Sequence, residues 1–155
     1  MRLTDFLKLD HIKVYLKSSE KHGVIKELSD MLLTDKSESE KNEVLKALLE
    51  REKVSSTGIG HGIAIPHART NVIEDLIAGI GIVETPIDFD SLDKKPVKII
   101  FLILCPKDLP GLQIRYLARS SRLLNDESLR EKLFKCTSSD EVYHTIFEYE
   151  NQHFH

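Results

Sequence analysis

His67 stands directly after a proline and closes the run Thr57-Gly58-Ile59-Gly60-His61-Gly62-Ile63-Ala64-Ile65-Pro66-His67-Ala68. An imidazole serves one of three chemistries near neutral pH: acid–base catalysis, metal ligation, or carrying a group on nitrogen. The residues before it argue for rigid presentation. Pro66 fixes its own φ and pushes Ile65 towards an extended backbone. Gly58, Gly60 and Gly62 permit positive φ and close approach, which fits a tight turn or a nest of main-chain N–H groups for an anion. Two cations flank the run. Arg51 can fork its guanidinium onto phosphate oxygens, and Arg69 follows His67 by two residues. Phosphoryl transfer asks chiefly for positioning and charge neutralisation, so an imidazole, an arginine and inward-facing amides would suffice. The run lacks the lysine and Ser/Thr of a P-loop and the acidic residue of a dinucleotide fold. His61 lies six residues before His67, with no cysteine or further carboxylate at ligand spacing, so neither a metal nor a cofactor is expected.

The flanking sequence supplies the elements that must hold this run in place. Ile12, Val14 and Leu16 alternate with polar or exposed-type residues and predict a short strand. Ser18 or Ser19 is expected to cap a helix carrying Val24, Ile25, Leu28, Met31 and Leu32 on one face. A second helix begins at the capping box Ser37-x-x-Glu40, presents Val44, Leu45, Leu48 and Leu49, and is expected to end near Arg51-Glu52. After the glycine run, residues 76–83 predict a strand, with Thr85-Pro86 and Asp88-Phe89-Asp90 forming a turn. Residues 97–104 are apolar almost without interruption, the pattern of a central strand buried on both faces. Leu112 to Leu124 predicts a helix with Ile114, Leu117 and Leu124 inward, followed by helices over 127–134 and after the capping box Ser138-x-x-Glu141. This order implies a sheet covered on both faces.

Composition bounds the answer. The chain has 155 residues, 41% hydrophobic and 30% charged, with a net charge of -3. One domain over residues 1–150 is expected, with 151–155 a frayed tail. Basic residues are scattered among acids, which argues against a nucleic-acid partner. No apolar run approaches the roughly 20 residues that span a bilayer, and the N-terminus has no signal-peptide core, so direct membrane insertion is not expected and a cytoplasmic location is. Cys105 and Cys136 form no CxxC pair, and Cys105 reads as inert core.

The segment Gly58-x-Gly60-x-Gly62-Ile63-Ala64-Ile65-Pro66-His67 resembles the signature of enzyme IIA domains of the fructose/mannitol type, from the bacterial phosphoenolpyruvate-dependent phosphotransferase system. The likeness extends to 48–52, 84–90, 96–101 and 122–126, and so covers essentially the whole chain. It implies an α+β fold, a three-layer α/β/α sandwich with a mixed parallel/antiparallel sheet. It also implies that His67 accepts phosphate from an HPr-like phosphocarrier protein, with Arg51 as phosphate clamp. Backbone at Gly58, Gly60, His61, Gly62, Pro66 and Ala68 would hold the oxygens. The phosphoryl group would pass to a IIB protein or domain, or set the state of a regulated transporter or kinase. One departure bears on the role. The family often has a second histidine at the start of the helix after the apolar strand; here that position is Gln113, a neutral hydrogen-bond donor. The departure tilts the reading towards the stand-alone nitrogen-type members, or towards a regulatory binding module with impaired transfer.

Overall fold

The computed structural model describes residues 1–153. After a single 3-10 turn at Leu3–Asp5, the order is β1 (Leu7–Val14), α1 (Lys21–Leu32), α2 (Glu38–Val54), β2 (Gly58–Gly60), β3 (Ile63–Ala64), β4 (His67–Thr70), β5 (Ile77–Ile87), β6 (Val97–Pro106), α3 (Pro110–Leu124), α4 (Glu127–Phe134) and α5 (Ser139–His153). Strand order is β1-β5-β6-β3-β2, and β4 also pairs with β6. β1 runs parallel to β5, β5 antiparallel to β6, and both β3 and β4 parallel to β6. The mixed sheet lies between two helical layers.

The continuous apolar run of β6 follows from this position. Successive side chains of a strand point to opposite faces. Ile99, Phe101 and Ile103 join a core with β1, α3, α4 and α5, while Ile100, Leu102 and Leu104 join one with α1 and α2. A strand buried on both faces has no position at which a polar residue meets water.

The capping box at Ser37 and Glu40 forms: the Glu40 amide donates to Ser37 Oγ at 3.2 Å and the Ser37 amide to Glu40 Oε1 at 3.1 Å. Elsewhere the elements depart from the sequence pattern. α1 is preceded by Glu20, without a side-chain cap, rather than by Ser18 or Ser19. α2 runs past Arg51 to Val54. β1 begins at Leu7, five residues before the alternation becomes visible, because its register shifts between Leu7 and Ile12. β5 continues through Thr85 and Pro86 instead of turning there. Its register also shifts, between Ile82 and Ile87, so residues 84–86 lie exposed in a bulge where proline costs no ladder bond. The turn falls later, where the Asp90 amide donates to Asp88 Oδ1 at 2.9 Å. In α3 the buried residues are Gln113, Tyr116, Ser120, Leu123 and Leu124, and Ile114 is 68% exposed, not inward. Tyr116 sets that face: its hydroxyl donates to the buried Leu3 carbonyl at 2.8 Å. α5 is helical through Asn151 and Gln152 to His153, so this part of the expected tail is ordered helix; Phe154 and His155 lie outside the described residues. Among the described residues no helix is long and apolar enough to cross a membrane.

Candidate functional site

His67 opens β4, where it pairs with Ile103 of the central strand. Its mount is fixed on both sides. The Ile65 amide donates to the Thr57 carbonyl at 2.9 Å, and the Ile103 amide donates to the Pro66 carbonyl at 3.0 Å. The imidazole is half-buried, with Nδ1 2.8 Å from the Ile65 carbonyl oxygen. A carbonyl can only accept, so Nδ1 carries the hydrogen and Nε2 carries the free lone pair. Burial is the largest influence on this histidine and holds its pKa below the ordinary 6.5, with the Arg51 charge adding to it. The bond to Ile65 and the charge of Glu52 act the other way. Burial and the bond to Ile65 together favour the neutral ring with its hydrogen on Nδ1 and leave Nε2 without a hydrogen.

His67 lines a cleft of about 670 Å3 together with Ala47, Glu50, Arg51, Ala68, Arg69, Lys107 and Gln113. Three cations thus face one carboxylate around the imidazole. Arg51, near the end of α2, donates through Nη1 to the Ser55 carbonyl at 2.9 Å, which keeps the guanidinium beside the cleft and satisfies a carbonyl at the helix C-terminus. Gln113 enters from the first turn of α3, a start set by Pro110. It is buried, and its Oε1 has no hydrogen-bond partner.

The structure brings together His67, Arg51, Gln113 and Ala68, drawn from α2, β4 and α3. It separates the glycines from them. β2 and β3 are antiparallel, and Gly60 (φ 94°), His61 (φ 58°) and Gly62 (φ 80°) form the tight turn between them. The Gly62 carbonyl accepts from Lys98 at 2.8 Å and Ile99 at 3.0 Å, at the opposite end of β6 from Ile103. That places the turn roughly 13 Å along the strand from His67. The turn does hold an anion, but it is the chain's own: the His61 amide donates to Asp93 Oδ2 at 3.2 Å. Gly58 packs against Ser91. Pro66 is buried behind His67 and contributes its carbonyl to the sheet. Gly58, Gly60, His61 and Gly62 do not line the cleft.

Two contributors carry no motif of their own. Lys107 follows the strand-ending Pro106 and lines the cleft from the β6–α3 connection. Glu52 is buried next to Arg51; it accepts from the Thr57 amide at 3.2 Å and the Thr57 hydroxyl, and its Oε1 lies 3.0 Å from Lys21 Nζ. This fastens the end of α2 to the segment leading to His67. An acid beside Arg51 in a helix's last turn, where the dipole favours cations, was the available signal. Among the described residues no group of three or more His, Cys, Asp or Glu side chains is placed to hold a metal ion.

Residues 5–149 match the family model described as phosphoenolpyruvate-dependent sugar phosphotransferase system, EIIA 2. A nitrogen regulatory protein of Bradyrhizobium diazoefficiens is 32% identical over 146 residues, 94% of this chain and 95% of that protein. A fructose-specific EIIABC component of Bacillus subtilis is 34% identical over 153 residues, 99% of this chain, which spans 24% of that protein's length. Among solved structures, the nitrogen regulatory protein IIA-Ntr of Neisseria meningitidis superposes with a TM-score of 0.84 at 31% identity, over 92% of this chain and 97% of that one. IIA mannitol of Escherichia coli, in complex with phosphorylated IIB mannitol, has the same fold, with a TM-score of 0.75 at 22% identity over 92% of this chain and 99% of that one.

Proposed function

The chain belongs to the EIIA 2 family of the phosphoenolpyruvate-dependent sugar phosphotransferase system, and on that premise we propose that His67 Nε2 is its phosphoryl acceptor. The observation that carries the reading is the Nδ1···Ile65 contact of 2.8 Å, which ties up one ring nitrogen and leaves the other free in a cleft that Arg51, Arg69 and Lys107 also line. In the proposed step the Nε2 lone pair forms the new P–N bond as the donor's P–N bond breaks. The electron pair of the broken bond stays on the donor's leaving nitrogen. His67 keeps its Nδ1 hydrogen, on the Ile65 carbonyl. Arg51, Arg69 and Lys107 neutralise the equatorial oxygens, the main demand of phosphoryl transfer. The donor is an HPr-like phosphohistidine protein, and the acceptor a IIB-type partner or a regulated transporter or kinase.

A second reading keeps the phosphorylated state and changes its use. Gln113 stands buried in the cleft with Oε1 unpartnered. Its amide can offer N–H to a phosphoryl oxygen but cannot take up or release a proton as a histidine would. That favours a long-lived phosphorylated form acting as a switch, since a phosphoryl group adds about -1.5 to -2 charges at a partner surface.

The test is intact-protein mass after incubation with phosphoenolpyruvate, enzyme I and HPr, or their nitrogen-branch counterparts. One acid-labile phosphoryl group on the wild type and none on His67→Ala is expected. Equal labelling of both would remove His67 as the acceptor. The lifetime of the label in Gln113→His against the wild type separates the two readings, a shorter life in the variant favouring the switch.

A further inference from the structure

The His67 cleft has the size to admit a small molecule as well as the edge of a protein surface. Its volume of about 670 Å3 falls within the ~300–1,000 Å3 typical of small-molecule sites. Ala47 and Ala68 add little bulk to its wall, and Glu50, Arg69 and Lys107 are exposed to solvent.

Cations outnumber acids in this lining. Among the described residues, the Arg69 and Lys107 side chains have no ion-pair or hydrogen-bond partner. Arg51 makes one hydrogen bond, to the Ser55 carbonyl at 2.9 Å. Glu50 is the one acid among the described residues that lines the cleft, and no ion pair joins it to the three cations. Glu52, whose charge also reaches His67, is itself paired with Lys21 at 3.0 Å. Gln113 is a second, independent sign of a ligand. It is 9% exposed, lines the cleft, and has an amide oxygen without a partner.

From this pairing of unspent cations with a free ring nitrogen, we propose that the cleft also takes a small acyl phosphate, which phosphorylates His67 without a carrier protein. The phosphoryl oxygens meet Arg51, Arg69 and Lys107. Nε2 attacks phosphorus, so that a P–N bond forms as the P–O bond to the acyl group breaks. The electron pair of the broken bond leaves on the carboxylate oxygen, and His67 keeps its Nδ1 hydrogen. A carboxylate departs as the anion near neutral pH. That suits a cleft in which Gln113 has no proton to give, and it favours the acyl class over a phosphate ester, whose alkoxide must be protonated as it leaves. The inference rests on His67 being the phosphoryl acceptor.

The test is intact-protein mass after incubation with acetyl phosphate alone, with enzyme I and HPr left out. One acid-labile phosphoryl group on the wild type and none on His67→Ala is expected. The rate should saturate with acetyl phosphate concentration, and inorganic phosphate should compete. Arg69→Glu with Lys107→Glu should slow labelling at least tenfold, whereas Lys53→Glu, outside the cleft, should leave the rate unchanged. The carrier-protein assay, run in parallel, keeps two failures apart. Labelling by the carrier but not by acetyl phosphate would overturn this inference and leave the acceptor reading standing, and labelling by neither would overturn both. An acetyl group in place of a phosphoryl group, a label retained by His67→Ala, or a rate that rises without saturation would each overturn the inference as well.

Discussion

At the start of β6 the Gly60–Gly62 turn presents the His61 amide to Asp93, while at the end of the same strand His67 presents Nε2 to a cleft lined by Arg51, Arg69 and Lys107. One continuous segment builds both. The hairpin end has three successive positive φ angles and a carboxylate already seated on it. The His67 end has extended backbone, an imidazole whose pKa is lowered by burial, and a cleft lined by three cations and Glu50, with Glu52 behind it. The contrast teaches a division of labour. The glycine turn folds β2 back against β3, and the charge of the cleft comes from side chains of α2, β4 and the β6–α3 connection.

If that division holds, variants at the two ends should affect different observables. The largest effect belongs to the cleft. Arg51→Ala should slow phosphorylation of His67 by about 10²–10³-fold, the usual cost of losing one preorganised donor to a developing charge. Its melting temperature should barely move, because the side chain is part-exposed and its bond to the Ser55 carbonyl is worth only about 1 kcal/mol net. Rate measurement by quenched-flow mass spectrometry beside a thermal melt decides it, and an unchanged rate would take Arg51 out of the site. Next comes the hairpin. Gly62→Ala forces a Cβ into a φ of 80° and to 3.4 Å from Phe134 Cζ, which should cost about 1–2 kcal/mol of stability. Its phosphorylation rate per folded molecule should match the wild type; a rate loss exceeding the stability loss would bring the glycine turn back into the chemistry. Asp93→Asn should have a smaller effect in the same direction. It removes the charge seated on the His61 amide, and Asp93 is exposed to solvent screening.

The comparison also explains what the sequence disclosed. Pro66-His67 and the apolar run of 97–104 are local patterns, and each became a rigid mount and a doubly buried strand. The capping boxes at Ser37 and Ser138 are equally local and mark α2 and α5. Arg51 was legible because its guanidinium suits phosphate, although sequence spacing alone gives no reason for it to meet His67. The choice between turn and anion nest for Gly58–Gly62 was open, since both use the same φ angles. In the structure the His61 amide meets Asp93, over thirty residues away, a contact that no local pattern reveals. Ile114 lies outside rather than inward for a similar reason. A helix face is chosen by what lies opposite, here Leu3 and the sheet, and apolar character alone put Ile114 inside.

The smallest effect is one of pH, and it separates the two ends without changing any packing. Folded His67 ionises below 6.5, chiefly because burial disfavours the imidazolium, while in the unfolded chain it titrates near 6.5. As the solution is acidified past that value the unfolded state binds the extra proton first. Stability therefore falls as pH drops from about 6.5 through the folded value, and is fully present above it. His67→Ala should abolish this contribution, so the difference in unfolding free energy between wild type and variant should change across that window and be constant above it. Half-buried His11 shifts the same way and is present in both proteins, so the subtraction removes it. Phosphorylation rate depends on the folded ring alone, so it should stay flat through 6.5 and fall only as the pH passes the lower folded value, where imidazolium replaces the nucleophile. A stability difference that is constant from pH 7 to 5 would mean that His67 is not desolvated, and would remove the argument that its ring is held neutral by burial.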